Sequence, residues 1–307
     1  MIKQAVVLVA HGTVDDLDEL PDFVAKIRRG HAAPPELIEE LRRRYQAIGG
    51  KSPLNEINRR VAARLETILA LPVRVANRLA RPYVKDVLAE LAGTEVNHVV
   101  SVPLAQYSAH VYADAVKTAA GELGGRVEVS CADSWAEEPG LVEAYAEGIL
   151  DAIYAIGPRE RGLTVVLTAH SLPTAAVRAG DPYERLVRAA AQAVIARVEH
   201  FAGPTKCVVA FQSQGMGTGP GGRPMEWLGP DLLATVEEAR ARGDGHVLFA
   251  PIGFLADHVE ILYDLDIEAR AWVTERGMTY HRTASLNDAS SLVLALSRVA
   301  QPLLREL

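Results

Sequence analysis

Ala5-Val6-Val7-Leu8-Val9-Ala10 is an unbroken apolar run that closes at once on His11-Gly12-Thr13, and its reading decides the fold. A short run rich in valine, bounded by a glycine turn, suits a strand covered on both faces. Working outward, runs of the same kind are expected as strands at Val73–Asn77, His98–Val102, Val127–Cys131, Leu163–Thr168, Cys207–Phe211 and His246–Pro251. The longer segments between them carry helical periodicity. Ser52-Pro53 opens a helix to about Ala70, with Ser52 as N-cap and Pro53 in the first turn. Another helix runs from Asp231 to Arg242 and stops at Gly243. Buried strands alternating with helices predict an α/β architecture with parallel sheets.

A coarse echo joins the two halves of the chain. The first strand leads into Ala10-His11-Gly12-Thr13, and the fifth into Ala169-His170-Ser171-Leu172-Pro173. Two similar doubly wound halves follow, each with its functional loop at the carboxyl end of a strand. The expected division is residues 1–104 plus about 283–307 for one half, and about 105–282 for the other. No repeat of solenoid length is visible.

The chain has 307 residues, 49% hydrophobic and 23% charged, with a formal net charge of −7. That balance argues against a general nucleic-acid partner. Of the two cysteines, Cys131 closes one apolar run and Cys207 opens another. Both read as packing residues, and their spacing fits neither zinc nor an iron–sulfur cluster. Met1-Ile2-Lys3-Gln4 runs straight into the first strand without a signal peptide, and no stretch of about 18 apolar residues occurs. The expectation is a cytoplasmic protein without a transmembrane segment.

Three features bear on chemistry. In Asp257-His258-Val259-Glu260-Ile261-Leu262-Tyr263-Asp264-Leu265-Asp266-Ile267-Glu268, an α-helix would place Glu260, Asp264 and Glu268 in one line. Such a row suits a relay for a hard cation, or else a solvated acidic face. His170 stands at a strand's carboxyl end, where an imidazole can bind iron or take a proton, although a satisfied structural histidine fits the same position. The segment Gln212 to Pro224, with Gly215, Gly217, Gly219, Gly221 and Gly222, lacks the Gly-Lys-Ser/Thr ending of a phosphate loop.

Motifs along nearly the whole chain resemble those of the ferrochelatases, particularly the bacterial coproporphyrin type. They are Ile27-Arg28-Arg29-Gly30, Arg44-Tyr45-Gln46-Ala47-Ile48-Gly49-Gly50-Lys51-Ser52-Pro53-Leu54 and Asp133-Ser134-Trp135. Thr168-Ala169-His170-Ser171-Leu172-Pro173, Gly180-Asp181-Pro182-Tyr183, Phe211-Gln212-Ser213 and Trp227-Leu228-Gly229-Pro230 follow in the family's order. Gly253-Phe254-Leu255-Ala256-Asp257-His258-Val259-Glu260 and Leu286-Asn287 complete the set. The resemblance implies the chelatase fold, two Rossmann-like halves with a porphyrin cleft between them. It implies that His170 and Glu260 form the iron site on opposite sides of the macrocycle, with Asp264 and Glu268 leading the cation in. It also implies porphyrin contacts from Arg28, Arg44, Tyr45 and Ser52, and from Tyr112 by a looser match.

Two departures stand out. His11 occupies the place where the coproporphyrin type has a tyrosine that can ligate product iron, and His-Gly-Thr also resembles the His-Gly-Ser start of small sirohydrochlorin chelatases. The segment from Pro103 to Tyr112 is shortened relative to the family. The resemblance implies insertion of Fe2+, itself a substrate, into coproporphyrin III, with no cofactor required and no iron–sulfur cluster. Four propionates suit Arg28, Arg29 and Arg44, and Gly30-His31-Ala32-Ala33-Pro34-Pro35-Glu36 lacks a bulky apolar lip. The alternatives are a protoporphyrin IX ferrochelatase, a cobalt or nickel chelatase for another tetrapyrrole, and a non-catalytic haem or porphyrin carrier.

Overall fold

The computed structural model describes residues 3–215 and 225–305. The chain forms two compact units. The first comprises Met1–Gly140, Ala256–Val259 and Asn287–Leu307; the second comprises Leu141–Leu255 and Glu260–Leu286.

In the first unit, β1 (Gln4–Ala10), β2 (Val73–Asn77), β3 (His98–Pro103) and β4 (Glu128–Cys131) form a parallel sheet in the order β2-β1-β3-β4. Every residue of β1 is buried, as a central parallel strand covered on both faces requires. The helices are α1 (Leu20–Ile27), α2 (Pro35–Ala47), α3 (Leu54–Leu69), α4 (Val84–Ala92) and α5 (Ala109–Glu122). Leu88, Leu91, Val116 and Ala120 from α4 and α5 pack on Val7, Val9 and Val99 of the sheet.

The second unit repeats this plan. Its strands β5 (Leu163–His170), β6 (Lys206–Gln212), β7 (His246–Ala250) and β8 (Thr279–Arg282) take the order β6-β5-β7-β8, again all parallel. Its helices are α6 (Pro139–Ile156, starting at the unit boundary), α7 (Thr174–Arg178), α8 (Tyr183–Ala202), α9 (Leu232–Ala241) and α10 (Arg270–Glu275). A π-helix covers Ile261–Ala269, and α11 (Ser290–Ala300) returns to the first unit. In each sheet the order reverses at its first strand, so the switch points lie at β1/β3 and β5/β7. The carboxyl ends of those strands are where doubly wound sheets hold ligands.

Four details differ from the sequence expectations. The boundary lies near Gly140 instead of 104, because β4 pairs in register with β3 (Val99 with Val129, Val100 with Ser130) and stays with the first sheet. Residues 283–286 remain with the second unit for the same kind of reason, as Thr283 donates its N–H to Phe249 O. Strand β8, Thr-Tyr-His-Arg, is polar and only four residues long, and carries no apolar run to find. The helix at residue 54 has Pro53 at its N-cap; the expected cap, the buried Ser52, lies one position further out, where its hydroxyl accepts from Leu54 N at 3.4 Å. Asp231 caps α9 through Ala234 N at 2.7 Å, and Gly243 takes the positive φ after it. Both cysteines are free and half-buried. Most of the glycine-rich segment, residues 216–224, lies outside the described residues. Among the described residues no helix is long and apolar enough to cross a membrane.

Candidate metal centre

His170 is the last residue of β5, and its backbone is fixed from several directions. Its carbonyl accepts from the Tyr183 hydroxyl at 3.0 Å. The next residue, Ser171, is fully buried; its N–H donates to Gln212 O at 2.7 Å and its hydroxyl to Leu228 O at 2.9 Å. On the third side the loop after β7 is pressed against the strand: Gly253 N donates to Thr168 O at 2.8 Å. A Cβ on Gly253 would lie 2.4 Å from Ala169 Cα, so only glycine fits this approach. Phe254 meets the imidazole edge-on, with ring centroids 6.5 Å apart.

Glu260 arrives from the other strand of the switch point, after β7, and caps the π-helix. Its Oε2 lies 3.1 Å from His170 Nδ1. Two groups so close have no room for a macrocycle between them. The arrangement here differs from the expected placement on opposite faces, since the two side chains are hydrogen-bonded neighbours. Desolvation of the imidazole works to lower its pKa, but the charge and hydrogen bond of Glu260, joined by the charge of Asp264, outweigh it and the net shift is upward.

The acidic helix is wound as a π-helix, not as the α-helix its spacing suggests. The wider i→i+5 turn still brings positions four apart close to one line. Ile261, Leu265 and Ala269 form one such line and pack with Val166, Val236 and Phe249 in a buried core. Burial of each large aliphatic side chain contributes about 1.5–3 kcal/mol, which fixes the helix's rotation. The neighbouring line, Glu260, Asp264 and Glu268, is thereby drawn towards the protein. The solvated-face reading fails on this point: Asp264 is 4% exposed, whereas Ile267 is 38% exposed. Asp266 lies outside the row. Its carboxylate takes a bidentate pair from Arg282 at 2.8 and 2.9 Å and accepts from the Tyr280 hydroxyl at 3.1 Å.

The remaining expected residues lie in the first unit. His11 follows β1 and is exposed, edge-on to Phe23 at 6.0 Å. Arg28 caps the end of α1 and is half-buried. Arg44 is held by Glu40 at 2.8 Å; hydrogen bonds from Arg43 and Arg44 lower the Glu40 carboxyl to about 2. Three others are interior. Tyr45 shares a 2.6 Å hydrogen bond with Thr13, Ser52 is fully buried beside Leu54 N, and Tyr112 sits in the core under the Arg78 guanidinium. The porphyrin contact expected of Tyr45, Ser52 and Tyr112 thus falls on side chains that are buried in this structure.

Sequence reading passed over Tyr183, Gln212, Ser213 and Gly253 as site residues, although each lies inside a quoted motif. Gln212 is the register partner of His170 and donates to Glu260 O at 3.2 Å. The Ser213 hydroxyl donates to Asp264 Oδ2 at 2.5 Å.

Comparison with known proteins bears on the family and the fold. The family model described as Ferrochelatase matches residues 3–303. A ferrochelatase of Acidobacterium capsulatum is 35% identical, over 97% of this chain and 94% of that protein. A coproporphyrin III ferrochelatase of Geobacillus kaustophilus is 32% identical, over 97% and 96%. Among solved structures, SirB from Bacillus subtilis with Fe3+ superposes with a TM-score of 0.58 at 13% identity, over 98% of this chain and 95% of that one, a likeness of fold. With a family match along nearly its whole length and relatives above 30% identity, the chain belongs to the ferrochelatase family.

Proposed function

We propose that this protein inserts Fe2+ into coproporphyrin III, using His170 and Glu260 as one metal- and proton-handling pair. The observation that carries the reading is their 3.1 Å contact at the carboxyl ends of the two strands flanking the switch point, with the buried Asp264 behind them. Insertion exchanges one dication for two pyrrolic protons, so charge balances when iron enters and both protons leave. A neutral imidazole and a carboxylate form a suitable mixed donor set for ferrous iron. The same two groups are proton acceptors within hydrogen-bond reach of each other and can receive the leaving protons. Asp264 and Glu268 extend negative charge away from the pair and favour a dication's approach over that of anions.

Support for the four-propionate substrate comes from the relatives named coproporphyrin III ferrochelatase and from Arg28 and Arg29 at the end of α1. Guanidinium groups match carboxylates in geometry as well as charge. The reaction as proposed requires no cofactor and no iron–sulfur cluster, and we place it in the cytoplasm. An anaerobic assay with ferrous iron and, in turn, coproporphyrin III, protoporphyrin IX and sirohydrochlorin tests the reading. Multiple turnovers, fastest with coproporphyrin III, are expected. A stoichiometric binding signal without turnover identifies a carrier and overturns the proposal.

A further inference from the structure

Gln212 and Ser213 are adjacent, yet both side chains reach the start of the same helix. Gln212 Nε2 donates to the carbonyl of Glu260 at 3.2 Å, and Ser213 Oγ to the carboxylate of Asp264 at 2.5 Å. Neighbours on a strand point to opposite faces, so continued extended backbone would turn Ser213 away. It does not, because Ser213 has φ +60, in the left-handed region that residues other than glycine rarely take. The strand ends at Gln212, and this one rotation brings the second side chain round beside the first.

Gln212 is 2% exposed and pairs with His170 across β5 and β6, while Ser171 N donates to its carbonyl. The dipeptide therefore touches both strands and helix: the backbone of Gln212 borders His170, its side chain holds Glu260, and Ser213 holds Asp264. A 2.5 Å O–H···O contact falls in the range of charge-assisted bonds to an ionised acceptor. It fixes the Oδ2 oxygen of Asp264 and with it the plane of the carboxylate.

We infer that Gln212-Ser213 is a positioning brace, in which the left-handed Ser213 orients the Asp264 carboxylate for the incoming metal ion relative to the His170–Glu260 pair. This rests on the proposed function for the metal and for its approach past Asp264 to the His170–Glu260 pair. The brace acts through Asp264, so Ser213 is a positioning residue and not a catalytic one.

Three variants separate the hydroxyl from the backbone. Ser213→Gly keeps the left-handed conformation at no strain but loses the donor; Ser213→Ala loses the donor and keeps the strain; Ser213→Asn keeps both a donor and tolerance of positive φ. We expect the KM for Fe2+ to rise about tenfold in the glycine and alanine variants, the scale of losing one charge-assisted bond. Porphyrin KM should stay within about twofold, and Ser213→Asn should recover most of the loss. Wild-type iron KM in Ser213→Gly overturns the brace and leaves the proposed function standing. Calorimetric titration of Co2+ into porphyrin-free protein gives a readout that does not depend on turnover. Weaker Co2+ binding in Gly and Ala but not in Asn supports the brace even if the wild type inserts no iron, and equal affinities in all four proteins overturn it.

Discussion

The imidazole of His170 and the carboxylate of Glu260 meet at 3.1 Å across ninety residues of chain, His170 as the last residue of β5 and Glu260 as the N-cap of the π-helix that follows the loop after β7. The contact leaves one proton between the two groups. On the proposed function, metal binding competes with that proton for the pair.

Removal of either partner should disable the reaction. His170→Ala and Glu260→Gln are each expected to lower turnover by at least about a hundredfold, the scale of losing an acid–base or ligand group, with porphyrin binding retained. Steady-state rates beside fluorescence titration of the porphyrin check this. Near-normal turnover in either variant takes that residue out of the mechanism.

The raised pKa of His170 has a direction that can be tested. Its ion pair with Glu260 stabilises the fold below the unfolded value near 6.5, and that contribution disappears as pH rises through the higher folded pKa. Metal binding runs the other way and should strengthen over the same rise. In Glu260→Gln the desolvation remains while the carboxylate charge is gone, so the NMR midpoint of His170 should move to lower pH. An unmoved midpoint would show that another group sets it.

Asp264→Asn and Glu268→Gln should raise the apparent KM for ferrous iron while porphyrin KM changes little, because both acids lie along the helix behind Glu260. The effect should be larger for Asp264, which is buried and held by Ser213. A rise in porphyrin KM instead would turn the row towards the macrocycle.

Arg28 and Arg44 should behave differently. Arg44 already holds Glu40 together with Arg43, so Arg44→Ala leaves that carboxylate to Arg43 alone as well as losing a cation. Arg28→Ala is expected to weaken coproporphyrin III binding by roughly 1.5–3 kcal/mol and protoporphyrin IX by less. Comparable losses for the two porphyrins in Arg28→Ala would assign the arginine to propionates that both share, or to structure.

His98 supplies a prediction about stability. The ring is fully buried between Gln4 Oε1 at 3.0 Å and Ser130 Oγ at 2.9 Å, and burial lowers its pKa. Gln4 in turn holds the C-terminal segment through Arg305 N and O. The neutral ring is the folded form, so its contribution is complete above the unfolded value near 6.5 and is lost as pH falls towards the lower folded pKa. Between pH 7 and 5 the wild-type Tm should fall more steeply than that of His98→Gln. Parallel profiles would assign the acid sensitivity to other groups.

The sheets were legible because parallel strands buried on both faces must be apolar throughout, as in β1 and β5. Strand β8 was not, since an edge strand contributes four polar residues whose place is set by pairing with β7. The spacing of Glu260, Asp264 and Glu268 revealed a common face but not the π winding, because residues four apart align nearly as well in either helix. The pairing geometry of His170 with Glu260 was hidden for a different reason. Which side of a ligand two residues approach depends on where two loops end in space, and no local pattern records that. Tyr45, Ser52 and Tyr112 show the same limit, for hydroxyl residues read alike in a core and at a surface.

The π-helix is tied down twice, by Asp264 to Ser213 and by Asp266 to Arg282 and Tyr280. Residues two apart lie about half a turn from each other, so the two ties pull on opposite flanks of the same segment. Like a shaft keyed on both sides, it cannot spin about its axis without breaking at least one of them. Nor can it shorten by a residue and keep both, since a tighter winding would carry one carboxylate off its partner. The unusual winding and the direction in which Asp264 points are thus a single mechanical fact, and selection on either one constrains the other.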